Sequence, residues 1–171
     1  MPRLLLLRHA KSSWDDASLD DFSRPLNKRG VKDCKKIGTY IARKGLYPQS
    51  VLCSTAQRAR ETYAGILPFL PEAQEVYFTK KLYEAEAQDI FALIKQLGRT
   101  SETLLVIGHN PAIEVVASVL ARKGQQSALE ELSQKYSTAA LAIIDFDVAN
   151  WHAIVPGTGW LAGFIPPKSL I

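Results

Sequence analysis

The sequence predicts an α/β fold: a mostly parallel central sheet flanked by helices on both faces, giving three layers. Three observations point to it. The short apolar runs Leu4–Leu7, Val51–Cys53 and Thr103–Gly108 have the length and continuous apolarity of strands covered on both sides. Stretches with apolar residues three and four apart alternate with them, which is the helical period. Each run also ends directly in polar or charged residues, Arg8-His9, Ser54-Thr55 and His109-Asn110. In open α/β sheets the carboxyl ends of strands are where ligands bind. With 171 residues the chain is expected to be one domain over 1–171, without a large insertion.

The first strand, Leu4–Leu7, leads into Arg8, His9, Ala10, Lys11, Ser12 and Ser13. Four leucines are too few to cross a bilayer and suit a buried strand. Trp14 to Ser23 is acidic and irregular. Arg24-Pro25-Leu26-Asn27 then opens a helix, with Asn27 a suitable N-cap and Gly45 a natural terminator. Val31, Cys34, Ile37 and Ile41 form its apolar stripe, and Lys28, Arg29, Lys32, Lys35 and Lys36 lie off it as a solvated face. After the strand Val51–Cys53, Ser54 with Gln57 three residues on has the capping-box pattern and places a helix start there. Arg58 falls in the first turn. Helical side chains lean toward the N-terminus, so its guanidinium reaches back over the end of the sheet. Arg60 lies on the other side and reads as a surface residue. The helix stops near Pro68.

Glu75–Phe78 reads as a strand and Leu82-Tyr83-Glu84-Ala85 as a loop. Asp89 to Leu97 is a short helix with Ile90, Leu93, Ile94 and Leu97 on one side, closed by Gly98. Thr103–Gly108 ends in His109. Asn110-Pro111 then offers an N-cap and an N1 proline, setting His109 beside a helix N-terminus that favours an anion. Gly124 to Lys135 is polar and ambiguous. Ala140 to Ile144 alternates as a strand, with Trp151–Val155 as its expected partner. His152, in that last stretch, reads as structural.

Composition narrows the function. Apolar residues make up 47% of the chain and charged ones 22%, a globular balance that excludes a disordered polypeptide. The net charge of +4 is uneven: residues 1–60 hold 13 Lys and Arg against 5 Asp and Glu, and later residues 8 against 12. A basic first third points to an anionic ligand. Nucleic acid is disfavoured, because no aromatic-rich strand, dense basic run or binding motif accompanies the charge. No segment is apolar enough to span a membrane. Met1-Pro2-Arg3 and four leucines lack a full signal segment and cleavage site, so export is not expected. Cys34 and Cys53 have no metal-like spacing and read as core residues of a cytoplasmic protein.

If the sheet is mostly parallel, Arg8-His9, Arg58 and His109 converge on one edge. Two planar guanidiniums suit phosphate oxygens. Two imidazoles could bind a metal, but the guanidiniums oppose a dication and no carboxylate pair offsets them. Phosphate coordination with one histidine as nucleophile is the stronger reading.

The same residues fall into motifs. Arg8-His9-Ala10 resembles an Arg-His-Gly motif. Ser54, Arg58, Ala59 and Thr62 match Ser-x-x-x-Arg-Ala-x-x-Thr, and Gly108-His109 matches a Gly-His or Ser-His pair after an apolar strand. Arg24-Pro25-Leu26 with Gly30 fits as well. Over residues 3 to about 120 the chain therefore resembles the histidine phosphatase superfamily. Its short length and Gly-His-Asn-Pro make it most similar to the small SixA-type phosphohistidine phosphatases.

That resemblance implies a phosphoglycerate mutase-like fold and a two-step phosphoryl transfer. His9 would attack phosphorus in line, Arg8, Arg58 and His109 would hold the equatorial oxygens, and water would release phosphate from the phosphohistidine. It implies no metal and no cofactor. The substrate would be phosphohistidine in a protein or a small phosphoester. Neighbouring arginines are expected to keep His9 neutral. Many relatives protonate an alkoxide leaving group with a carboxylic acid. Glu84, in a Leu-x-Glu context, is the candidate here, and a surface loop glutamate is the alternative. Ala10 stands where the family has glycine, and its methyl is strained only if the backbone needs positive φ. Lys11, Ser12 and Ser13 are either phosphate contacts or a basic solvated turn. The expected function is a metal-independent phosphatase. A small-molecule phosphomonoesterase and a non-catalytic phosphate-binding module remain as alternatives, and a mutase is disfavoured for lack of enclosing segments.

Overall fold

The computed structural model describes residues 1–72, 74–98 and 101–171. In chain order the elements are β1 (Arg3–Arg8), α1 (Lys28–Lys44), β2 (Ser50–Ser54), α2 (Gln57–Ile66), β3 (Glu75–Thr79) and α3 (Ala87–Leu97). There follow β4 (Thr103–Gly108), α4 (Ala112–Leu120), β5 (Lys123–Gly124), α5 (Gln126–Gln134), β6 (Leu141–Phe146) and β7 (Gly159–Ile165). Among the described residues no helix is long and apolar enough to cross a membrane.

The strands form one sheet in the order β3-β2-β4-β1-β6-β7-β5. β3, β2, β4 and β1 pair in parallel. β6 runs antiparallel to both of its neighbours, and β5 pairs in parallel with β7. The mostly parallel, three-layer architecture is thus the one the sequence predicts. Leu4, Leu5, Leu6 and Leu7 are all fully buried. Leu4 and Leu6 join a core with residues of α3, α4 and α5, while Leu5 and Leu7 join a second core with residues of α1 and α2. Such alternation is what a strand covered on both faces requires.

Local signals hold in some elements and yield in others. Asn27 caps α1, accepting from the Gly30 N–H at 2.9 Å, and Gly45, at φ 63°, ends it. The buried side of α1 carries Gly30, Asp33, Cys34, Ile37, Gly38 and Ile41. Cys34, Ile37 and Ile41 of the expected stripe are thus buried, while Val31 at its N-terminal end is 48% exposed and Gly30 takes the inward place beside it. The partners of β6 are β1 and β7, not Trp151–Val155. Asn150 accepts from the N–H groups of His152 and Ala153 and folds Trp151–Ala153 into a 3-10 turn. Trp151 then turns into the core and donates its indole N–H to the Ser101 carbonyl at 2.6 Å. His152 is exposed on that turn. The ambiguous stretch from Gly124 resolves into the end of β5 and into α5, which buries Ala128 and Leu132.

Two features of this frame position the site. The strands β2, β4 and β1 are adjacent, and their register sets Arg8 beside Gly108 and Cys53 beside Ile107, so three carboxyl ends lie at one level. The loop after β1 is also pressed against the start of α1. Asn27 N–H donates to the Lys11 carbonyl at 3.0 Å, and a β-carbon on Gly30 would overlap that same carbonyl oxygen. Gly30→Ala is therefore expected to cost about 1–3 kcal/mol, since backbone cannot yield as a flexible side chain does. Val31→Ala, one residue on and exposed, is expected to stay within about 0.5 kcal/mol of wild type. Urea unfolding of the two variants checks this, and equal midpoints would show that the loop gives way.

Candidate active site

β1 ends in Arg8, and His9 follows one residue beyond. Ala10 is fully buried, and among the described non-glycine residues positive φ is confined to Ala139, so the Ala10 methyl is accommodated without backbone strain. The Ala10 N–H donates to Thr62 Oγ1 at 2.9 Å, and the Thr62 hydroxyl donates to the Arg58 carbonyl at 2.6 Å. The residue after His9 is thereby tied to the helical turn that carries Arg58. This accounts physically for a threonine four residues after that arginine.

His9 Nδ1 lies 2.8 Å from the Ala10 carbonyl. A carbonyl only accepts, so Nδ1 carries the proton and Nε2 keeps its lone pair. Arg58 Nε donates to that Nε2 at 3.3 Å. The His109 ring lies 5.0 Å from the His9 ring, centroid to centroid, tilted by 52°. Arg8 donates from Nη1 to the Tyr136 carbonyl at 2.8 Å. Among the described residues, Arg8 Nε and His109 Nδ1 are buried without a protein partner. The structure therefore brings Arg8, His9, Arg58 and His109 together.

Two helix starts differ from expectation, and both differences serve this cluster. Ser54 does not form a capping box. It closes β2, its Oγ accepts from the Ala56 N–H at 3.2 Å, and it hydrogen-bonds His109 Nε2 at 2.8 Å. The helix α2 begins at Gln57 with no side-chain cap. Similarly, α4 begins at Ala112 with Pro111 in the cap position, and Asn110 does not cap it. The Asn110 amide instead donates to Glu114 at 3.1 Å and to the Tyr136 carbonyl at 3.3 Å. Ser54 is turned to a buried imidazole and the Asn110 amide to Glu114 and the Tyr136 carbonyl, so neither forms the cap that its local pattern suggests.

Two site residues, Asp21 and Tyr83, lie beyond the reach of sequence reasoning. Arg58 donates Nη1 to the Asp21 carbonyl at 2.6 Å and Nη2 to Asp21 Oδ2 at 3.0 Å. The Tyr83 hydroxyl donates to the same Oδ2 at 2.6 Å, and its ring stands edge-on to His109 at 5.5 Å and to Phe22 at 4.9 Å. Asp21 shares its irregular stretch with Asp15, Asp16 and Asp20, and no spacing singles it out.

The other candidates stand apart from the cluster. Glu84 is exposed and lines a separate hollow with Lys80, Lys81, Asp89, Leu93 and Gln96. Arg60 is exposed over the Phe78 ring. Lys11 is exposed, Ser12 Oγ accepts from Arg24 Nη1 at 2.7 Å, and Ser13 Oγ accepts from the Asp15 N–H at 3.1 Å.

Burial dominates the electrostatics. It pushes the His9 imidazole down to about 3, with the charges of His109, Arg58 and Arg8 adding to the effect and the bond to the Ala10 carbonyl opposing it. Burial likewise takes His109 down to about 4, helped first by Arg58. The arginines thus contribute to the neutrality of His9, but desolvation is the larger cause. The Tyr83 hydroxyl, then Arg24 and Arg58, hold the Asp21 carboxyl well below the usual range. Burial pushes the Cys34 and Cys53 thiols up to about 12, which leaves neither as a nucleophile. Among the described residues, no group of three or more His, Cys, Asp or Glu side chains is placed to hold a metal.

The sequence model of the histidine phosphatase superfamily (branch 1) matches residues 4–93, more than half of the chain. The chain belongs to this superfamily. Among its relatives, the uncharacterized protein Rv1276c of Mycobacterium tuberculosis is 34% identical over 95% of this chain and 100% of its own. An uncharacterized chloroplastic protein of Arabidopsis thaliana is 33% identical over 99% of this chain and 79% of its own. Two solved structures described as candidate SixA phosphohistidine phosphatases share the fold at 25% identity. The Agrobacterium tumefaciens protein superimposes with a TM-score of 0.80 over 97% of this chain and 99% of its own. The Nakamurella protein gives 0.82 over 97% and 96%. As in the structural relatives of this superfamily, the sheet is of the phosphoglycerate mutase type.

The imidazoles fix the direction of a pH effect. Both are neutral in the folded protein down to about 4 and 3, whereas in the unfolded chain they take up protons near 6.5. Their contribution to stability is complete above pH 6.5 and is lost as the pH falls. His109→Gln removes one of them. Between pH 6.5 and 4.5 wild type is expected to lose about 2 kcal/mol more than this variant. Urea unfolding at the two pH values gives the comparison, and parallel losses would mean that His109 is already protonated when folded.

Proposed function

We propose that the protein is a phosphatase that passes a phosphoryl group through His9 Nε2 and acts on phosphohistidine in proteins. The observation that carries this reading is the His9 ring itself. Its Nδ1 proton is committed to the Ala10 carbonyl, and its Nε2 lone pair faces Arg58 beside His109. In the first step the Nε2–P bond forms as the bond from phosphorus to the leaving group breaks. In the second, a water oxygen attacks phosphorus, the P–Nε2 bond breaks, and the neutral imidazole returns with phosphate. Arg8, Arg58 and His109 hold the equatorial oxygens. The unpartnered Arg8 Nε and His109 Nδ1 support this role. In this reading the Ser54 hydroxyl donates to His109 Nε2, 2.8 Å away, which leaves the His109 proton on the unpartnered Nδ1 for an oxyanion. Positive charge from two guanidiniums supplies what a metal ion supplies elsewhere, so turnover needs none.

The substrate class follows from the leaving group. Phosphohistidine departs as imidazole, which makes far less demand on a general acid than an alkoxide does. Glu84 is exposed and takes no part in the hydrogen bonds of the cluster. The likeness to candidate SixA structures supports the same reading. A small-molecule phosphomonoesterase would need Glu84, or another acid, to reach the leaving oxygen.

Wild type is expected to dephosphorylate a phosphohistidine peptide with a chelator present. His9→Ala should lose turnover yet bind orthovanadate within about tenfold of wild type, because the guanidiniums remain. Arg58→Ala should lose both, a charge-assisted contact being about 1.5–3 kcal/mol. Rapid-quench trapping of an acid-labile phosphoenzyme reads the nucleophile directly, and label on His109 would reverse the roles. For the leaving group, Glu84→Gln should leave the phosphohistidine peptide within a few-fold of wild type. If Glu84 is a general acid, the variant should lose about 10²–10⁴-fold on an alkyl phosphate. Equal kcat/KM values for wild type and variant on both substrates would make Glu84 a surface residue.

A further inference from the structure

We infer that Asp21 is a positioning residue, which fixes the Arg58 guanidinium so that Nε points at His9 and so couples the loop between β1 and α1 to the chemistry. The kinetic part of this inference rests on the phosphatase reading above; the structural part does not.

The geometry is a two-point grip. The Asp21 carbonyl takes Arg58 Nη1 at 2.6 Å and its carboxylate takes Nη2 at 3.0 Å. A planar guanidinium held at both Nη atoms has its Nε direction fixed as well, and Nε lies 3.3 Å from His9 Nε2. One proton on each Nη remains for an oxyanion. The Asp21 side chain is not needed for its own turn. Asp20 closes that turn by accepting from the Ser23 N–H at 3.0 Å. The Asp21 oxygens go instead to Arg58, Tyr83 and Arg24.

The carboxylate is itself held from two sides. On the loop side Arg24 is buried, bonded to Ser12 Oγ at 2.7 Å and stacked on the Trp14 ring at 3.5 Å. On the other side Tyr83 is packed edge-on against Phe22 and His109. The Asp21 side chain is nevertheless 49% exposed. An ion pair at the solvent boundary adds little to stability, so its effect is on orientation. The two readouts therefore separate.

The test compares wild type with Asp21→Ala, Asp21→Asn and Asp16→Ala. Asp16 lies on the same loop and bonds Ser18, not an arginine. The Arg58 side-chain Nε–H resonance, assigned by its loss in Arg58→Lys, reports the orientation without any turnover. Kinetics on p-nitrophenyl phosphate report the consequence. Asp21→Ala is expected to broaden or shift the Nε–H signal and to lower kcat/KM about tenfold or more. Its urea midpoint should stay near that of wild type. Asp21→Asn keeps an acceptor for Nη2 and should restore both signal and activity to within about threefold, and Asp16→Ala should change neither. A sharp, unshifted Arg58 signal in Asp21→Ala, or an equal loss in Asp16→Ala, would overturn the inference. An Asn variant as slow as Ala with its signal intact would assign the effect to charge and overturn it as well. If the signals behave as expected but wild type turns over no phosphate ester or phosphoramidate, the phosphatase reading fails and the Asp21–Arg58 coupling stands.

Discussion

The site depends on one constraint, the common level at which β2, β4 and β1 end. Each of these strands is apolar through its middle because helices cover both faces of the sheet, so the charged and imidazole side chains gather at and just past the strand ends. Parallel register then does the assembly. Arg8 aligns with Gly108 and Cys53 with Ile107, which brings His9, His109 and Ser54 to the same edge from positions 45 to 100 residues apart. The helix after β2 returns Arg58 over that edge. On its other side β1 meets the antiparallel β6, and the turn before β6 closes the site, with Arg8 N–H donating to the Ala140 carbonyl and Ala139 N–H donating to the Arg8 carbonyl.

Gathering two guanidiniums and two imidazoles in a partly dry pocket would be strongly repulsive if all four were charged. Burial removes two of the charges by keeping both imidazoles neutral. That neutrality is also the state a histidine nucleophile needs, so one physical cause meets a stability requirement and a chemical one. The remaining positive charge is offset at the rim. Asp21 takes Arg58 and Arg24, and Glu114 lies within electrostatic reach of Arg8. Hydrogen bonds to the carbonyls of Asp21 and Tyr136 take up further guanidinium protons without adding charge. The pocket stays positive enough to attract an oxyanion and is balanced enough to fold.

Much of this was legible in residue order. The runs at Leu4, Val51 and Thr103 marked the strands because two-sided burial demands continuous apolarity. Arg8, His9, Arg58 and His109 stood at their ends, where nothing structural calls for such side chains. The α1 cap at Asn27 and the stop at Gly45 were readable since their partners lie within four residues. The failures share a cause. Ser54 and Asn110 have strong local cap patterns, but contacts with His109 and Tyr136, distant in sequence, turn their side chains elsewhere. Trp151–Val155 alternates like a strand, yet Asn150 and the buried indole make it a turn.

The sequence by itself determined which strands are buried, where the cationic and imidazole groups sit along them, and the family to which the chain belongs, because each depends on a short pattern or on a side chain's own chemistry. Tertiary structure alone decided the rest. The His9 tautomer depends on how the ring meets the Ala10 carbonyl. The neutrality of both imidazoles depends on how much water the packed edge excludes. The place of Asp21 depends on an irregular loop that folds back over α2, a path set by Arg24, Ser12 and Trp14 acting together and by no periodicity in the chain.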